Sequence, residues 1–165
     1  MEFIKEQFSH RWHFFAVAAL VAAQIALMGL FMANVSPTYD EPAILMASLN
    51  TIKNHDYTIS PEVGPFALGW LALPNLGVKF IPVKAMDSNV PEVFQNKVYP
   101  LLKKQGLPGI FNSARCMTAI LNIACGLLMF FVALNVLGRL PAVLAHGLYC
   151  FLPVLLSNGA LVTTD

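Results

Sequence analysis

The sequence predicts an all-α membrane protein with three transmembrane helices and a long external first loop containing amphipathic interfacial helices. Three observations carry that expectation. Of 165 residues, 57% are hydrophobic and only 12% charged, whereas a soluble domain averages about 25% charged residues. Two apolar runs without a charged residue are long enough to cross a bilayer, and a third contains a proline. The ten basic and nine acidic residues nearly cancel, leaving a net charge of +1. This composition excludes a soluble enzyme, a disordered segment and a nucleic-acid binder, because it offers neither polar surface nor a basic footprint.

The first span covers residues 14–33, which contain no charge and only Gln24 as a strongly polar member. About 20 residues at 1.5 Å each cross a hydrocarbon core of about 30 Å. Lys5, Arg11 and Trp12 precede it, a basic flank with an interfacial aromatic that places the N-terminus in the cytoplasm. A cleaved signal peptide fits less well, because the apolar run is too long and Ala33-Asn34-Val35 matches the small-x-small cleavage pattern poorly. The second span covers residues 116–137, entered through Arg115 and closed by Gly138-Arg139-Leu140-Pro141, a tight helix–helix connection. The third runs over residues 142–161 with Pro153 inside it, a kink that membrane helices tolerate when neighbours satisfy the freed carbonyl.

This topology puts residues 34–114 outside, and a loop of about 80 residues is largely exempt from the positive-inside count despite its lysines. Within the loop, Asp40 is placed to cap a helix from Glu41-Pro42 to Asn54. Its apolar Ile44, Leu45, Leu49 and Ile52 share one face, as suits a helix lying on the membrane surface. Residues 54–57 and Ser60-Pro61 read as turns. Residues 63–78 are apolar but interrupted by Gly64, Pro65, Gly69, Pro74 and Gly77, which fits a re-entrant or interfacial segment better than a crossing. Residues 91–105 form a second amphipathic helix weakened by Pro100. The whole chain, 1–165, is one membrane unit without repeats.

The residues able to carry chemistry are few. Asp40, Glu41 and Asp165 all emerge on the external face near the bilayer, where carboxylates are costly and by default functional. For Asp40, a helix N-cap is an equal reading; for Asp165, a polar residue closing a span. Arg115 reads either as an arginine snorkelling to headgroups or as a permanent cation for a phosphate. His55 fits an exposed turn, and Trp70 and Tyr57 fit interfacial aromatics. Cys116, Cys125 and Cys150 lie in apolar stretches without CxxC spacing and read as packing residues. The sequence has no HExxH motif, P-loop or metal-ligand spacing. Three carboxylates on one face could hold a divalent cation, but no spacing demands it. The spans hold almost no ionisable residues to line a transport path.

Thr38-Tyr39-Asp40-Glu41-Pro42 after the first span, His55-Asp56-Tyr57, Pro61-Glu62-Val63-Gly64-Pro65-Phe66 and Leu71-Ala72-Leu73-Pro74 resemble the first external loop of GT-C membrane glycosyltransferases. The nearest groups are similar to dolichyl-phosphate-mannose–protein mannosyltransferases and bacterial aminoarabinose-type lipid A transferases. Gly159-Ala160-Leu161-Val162-Thr163-Thr164-Asp165 resembles that family's second acidic motif. The resemblance covers the chain but only the N-terminal part of such an enzyme. It implies a polyprenyl-phosphate sugar as donor, a protein, lipid or glycan as acceptor, and a multi-pass protein of a bacterial inner membrane more than of the endoplasmic reticulum. It further implies Asp40 as general base, Glu41 orienting acceptor or base, and Asp165 completing the acidic cluster. Arg115, by position, would meet the leaving phosphate, with His55 and Lys79 as further binding candidates. Val63-Gly64-Pro65-Phe66 departs from the family's His-Pro-Pro-Leu or Lys-Pro-Pro-Leu, and Ala43-Ile44-Leu45 stands where relatives carry a basic residue, so Lys79 or Lys84 would have to substitute. Because relatives continue with many more helices, the chain reads as the front portion of a longer enzyme. The rival expectation is a non-catalytic, truncated membrane protein or assembly partner on the same scaffold.

Overall fold

A computed structural model of the chain describes residues 2–79 and 98–162, and side chains from residue 11 onward within them. Among the described residues the regular structure is entirely helical. Helix α1, Glu2–Asn34, contains a candidate span at Arg11–Asn34, whose 24 residues reach about 36 Å. The 31-residue helix Leu107–Leu137 is the second candidate span. Between them fold α2 (Glu41–Asn54), a 3-10 turn at Pro61–Val63, α3 (Pro65–Ala72), a second 3-10 turn at Leu73–Asn75 and α4 (Tyr99–Lys103). The long helix Leu107–Leu137 is therefore α5, followed by α6 (Arg139–Phe151) and α7 (Pro153–Gly159).

The α5–α6 connection is the single residue Gly138, at φ 87°, ψ −177°. A side chain there would be strained, so glycine is what permits the abrupt reversal. The expected third span is a broken pair: α6 and α7 meet at 61° across Leu152, whose extended backbone precedes Pro153. The physical cause is local, since proline disfavours the helical region for the residue before it. Two helices are long and apolar enough to cross a membrane, or three if the bent pair counts as one span. Near the Gly138 turn, Val17 of α1, Phe130 and Ala133 of α5 and Ala142 of α6 form a buried apolar cluster.

The intervening segment departs from the expectation of surface-lying helices. Glu41 and residues 44–51 of α2 are all buried. Ile44, Leu45, Met46 and Leu49 pack with Leu68 and Leu71 of α3, Leu102 of α4 and Ile110, Phe111 and Ala114 of α5. A helix buried around most of its circumference belongs to a packed core; here α2 is the centre of a small helical cap on the first turns of α5. Polar bonds fix the cap in place. Asn75 donates to the Ile110 carbonyl at 3.1 Å and accepts from Ser113 at 2.9 Å, while the Trp70 indole N–H donates to the Met117 carbonyl at 2.9 Å.

Residues 63–78 contain one eight-residue helix and a 3-10 turn, too short and interrupted to cross, in line with expectation. Other boundaries differ. The second span begins at Leu107 rather than at 116, which puts Arg115 two turns inside α5. Pro108 sits in its first turn, where the missing N–H disturbs nothing. Of the expected helix over 91–105, residues 98–105 are described and contain α4, with Pro100 in its first turn.

Candidate functional site

The end of α1, the start of α2, the third turn of α5 and the segment after α7 converge on one buried carboxylate. Glu41 is fully buried, and Arg115 is only 1% exposed. The guanidinium meets the carboxylate through two parallel bonds: Arg115 Nε donates to Oε1 at 2.8 Å and Nη2 to Oε2 at 2.7 Å. Such fork-to-fork pairs are the strongest and most directional of side-chain ion pairs. Arg115 Nη1 donates to the carbonyls of Val35 at 3.0 Å and Met32 at 3.3 Å. Those carbonyls lie at the C-terminal end of α1, where the last turn lacks intrahelical partners and the helix dipole favours a cation.

The carboxylate is equally engaged on its other lone pairs. The backbone N–H of Thr38 donates to Oε2 at 2.8 Å and that of Val162 donates to Oε1 at 2.8 Å. The first of these ties the acid at the first position of α2 back onto the chain that enters the helix. With two donors on each oxygen, the acceptor capacity of Glu41 is filled. Burial pushes its carboxyl up, but the bonds from Arg115, Val162 and Thr38 and the guanidinium charge outweigh that and hold it below its usual value.

Asp40 differs in every respect from its neighbour. It is exposed, takes helical backbone angles (φ −85°, ψ −28°) and makes no side-chain capping bond. Of the two expectations for this residue, the capping one is thus corrected: its carbonyl receives the first helical bond, from Ile44 N–H at 3.0 Å, but its carboxylate does not cap. The buried clamp holds the backbone of residue 41 on one side and leaves the adjoining Asp40 carboxylate exposed.

The other expected site residues are placed separately. His55 is exposed and ends α2 in the left-handed conformation (φ 53°, ψ 33°), its N–H bonded to the Thr51 carbonyl at 3.1 Å. The 14 residues of α2 put it about 20 Å from Asp40. Lys79 is exposed, and its backbone is held from both sides by the Gln105 carboxamide, at 2.7 and 2.9 Å. Asp165 and Lys84 lie outside the described residues. Arg115, expected to meet a phosphate, has four of its five N–H groups committed within the protein. That expectation carried a sequence position but not its surroundings. Among the described residues no three His, Cys, Asp or Glu side chains are arranged to hold a metal ion.

A second polar assembly lies deeper in the helix bundle. Gln24 donates to Asn122 Oδ1 at 2.9 Å, Asn122 Nδ2 donates to the Leu155 carbonyl at 3.1 Å, and the Tyr149 hydroxyl donates to the Asn122 carbonyl at 2.9 Å. His146 and Cys150, both fully buried, adjoin it. Gln24 alone had signalled this in the sequence, as the one strongly polar residue of the first span.

Compared with protein-family models, curated proteins and solved structures, the chain matches none.

Proposed function

We propose that this chain is the N-terminal part of a GT-C-type membrane glycosyltransferase that moves a sugar from a polyprenyl phosphate to an acceptor hydroxyl at the external membrane face. Asp40 is the general base. The observation that carries the proposal is the division of labour within the acidic pair: Glu41 has all its acceptor positions filled by Arg115, Thr38 and Val162, whereas the Asp40 carboxylate is exposed. In the reaction, the acceptor oxygen attacks the anomeric carbon as the bond from that carbon to the phosphate oxygen breaks. The hydroxyl proton passes to Asp40, and the phosphate departs with the bonding electrons, giving inversion. A positioned base of this kind contributes typically about 10²–10⁴-fold.

Glu41 and Arg115 act here as positioning residues. They join the end of the first span, the start of the second and the segment that leads to Asp165, three residues beyond Val162. The N-terminus is cytoplasmic, and the membrane is a bacterial inner membrane. With Arg115 engaged, the cation facing the departing phosphate is a lysine of the external segment, Lys79 being the candidate.

The test is Asp40→Asn in the full enzyme, assayed for sugar transfer from a polyprenyl-phosphate donor. Transfer should fall at least about 100-fold with membrane expression and thermal stability unchanged. Undiminished transfer would overturn the assignment. The filled bonding of Glu41 and Arg115 also favours a second reading, a non-catalytic scaffold whose acidic motif only locks helices together. Under that reading membranes containing the full-length protein transfer no sugar, while Glu41→Ala still destabilises it.

A further inference from the structure

On α6, His146 and Cys150 are four residues apart and therefore project from one face, and both are fully buried. His146 Nδ1 lies 3.1 Å from the Gly126 carbonyl oxygen. A carbonyl only accepts, so the proton sits on Nδ1, and Nε2 of the neutral ring keeps its lone pair. That lone pair faces Cys150 Sγ at 3.5 Å, and the same sulfur lies 3.5 Å from Gln24 Oε1 of α1. Two acceptors thus confront one S–H, which can satisfy only one of them. The supporting groups are fixed as well: Gln24 is oriented by its bond to Asn122, and Asn122 by its bond to the Leu155 carbonyl. Phe130, itself fully buried, stands edge-on to the imidazole with ring centroids 5.9 Å apart.

The His146–Cys150 separation is that of a thiol hydrogen bond and is also close to that of two ligands sharing a metal ion. Bonds as at zinc, about 2.0–2.1 Å to nitrogen and about 2.3 Å to sulfur, at about 110–120°, set nitrogen and sulfur about 3.6–3.8 Å apart. A histidine whose other nitrogen is held by a backbone carbonyl is the usual form of a ligating imidazole. Charge selects the metal. Inside a bilayer a site of zero net charge costs least, and one thiolate is neutralised by a monovalent ion but leaves a divalent one with an excess charge. The thiolate also favours soft cuprous copper, which an imidazole accepts as a second donor.

We propose that His146 Nε2 and Cys150 Sγ, with Gln24 Oε1 as a weak third contact, form an intramembrane binding site for one Cu(I) ion, separate from the Glu41–Arg115 clamp. Binding exchanges the thiol proton, released to solvent, for the metal, with no change of oxidation state. The site ties α1 to α6, with Gly126 of α5 supplying the carbonyl that orients the histidine.

The test uses the full chain in detergent under anaerobic reducing conditions, titrated with Cu(I) against a chromogenic cuprous chelator. Because Cys116 and Cys125 are also free thiols, the parent is Cys116→Ser/Cys125→Ser. It should bind one equivalent and develop a thiolate-to-copper band in the near ultraviolet. Adding Cys150→Ser should abolish the band. His146→Leu should weaken binding at least about 100-fold, and Asn122→Leu, which releases Gln24, about 10-fold. As a measurement independent of variant folding, Cu(I) should slow maleimide labelling of Cys150 in the parent at least tenfold. Absence of both the band and the protection, or equal binding after Cys150→Ser, would overturn the site and leave these residues as a helix-packing network.

Discussion

Replacing Arg115 by methionine keeps the aliphatic stem and removes the guanidinium from Glu41. The carboxylate would remain fully enclosed with only the Thr38 and Val162 N–H groups as partners. The Met32 and Val35 carbonyls would lose their donor. Breaking a buried pair by deleting one member costs about 3–5 kcal/mol, because an uncompensated charge stays behind. Glu41→Gln removes that charge while keeping one acceptor oxygen. The double variant Arg115→Met/Glu41→Gln should therefore regain at least about 2 kcal/mol over Arg115→Met alone. Unfolding by SDS in mixed micelles measures this, with Trp70 fluorescence as reporter, since its indole is bonded to the Met117 carbonyl and senses separation of the cap from α5. A loss under about 1 kcal/mol in Arg115→Met, or a double variant no more stable than the single one, would refute the argument that a desolvated ion pair holds the cap in place.

The same carboxylate gives a pH signature. Glu41 is held below the usual glutamate value of 4.5, so its stabilisation is fully present above that pH and is lost as pH falls through the lower folded-state value. The melting-temperature difference between wild type and Glu41→Gln should thus be constant at neutral pH and shrink below about pH 4.5. Close helix approach gives another test. A Cβ at Gly159 would stand 2.6 Å from Asn122 and from the Met28 methyl, so Gly159→Ala should destabilise by about 1–3 kcal/mol, whereas Gly29→Ala, with open space around it, should be near neutral in the same SDS titration. For topology, single cysteines at Asp40 and Asn158, in a cysteine-free background, should label with an impermeant maleimide from the same side of the membrane, and one at Gly138 from the other. Labelling of positions 40 and 158 from opposite sides would contradict the Val162–Glu41 bond.

The helical class, the two long spans, the turn at Gly138 and the bounds of α2 were legible in the sequence. Each rests on local chemistry: apolar run length, glycine's access to positive φ, and an acidic first turn with proline beside it. The roles within the acidic pair were not legible, because they depend on Arg115, 74 positions away, and on a backbone N–H 121 positions away. Nor was the burial of α2, since an apolar face looks the same whether lipid headgroups or other helices cover it. His146, Cys150 and Gln24 likewise share no sequence motif, because two helices must pack before the three meet. Sequence alone thus determined that the chain is helical and which segments are long and apolar enough to cross a bilayer, because backbone hydrogen bonding and transfer from water act residue by residue. Only the tertiary structure decided which of two adjacent carboxylates is locked and which is open, because filling the lone pairs of a buried group takes donors from distant parts of the chain.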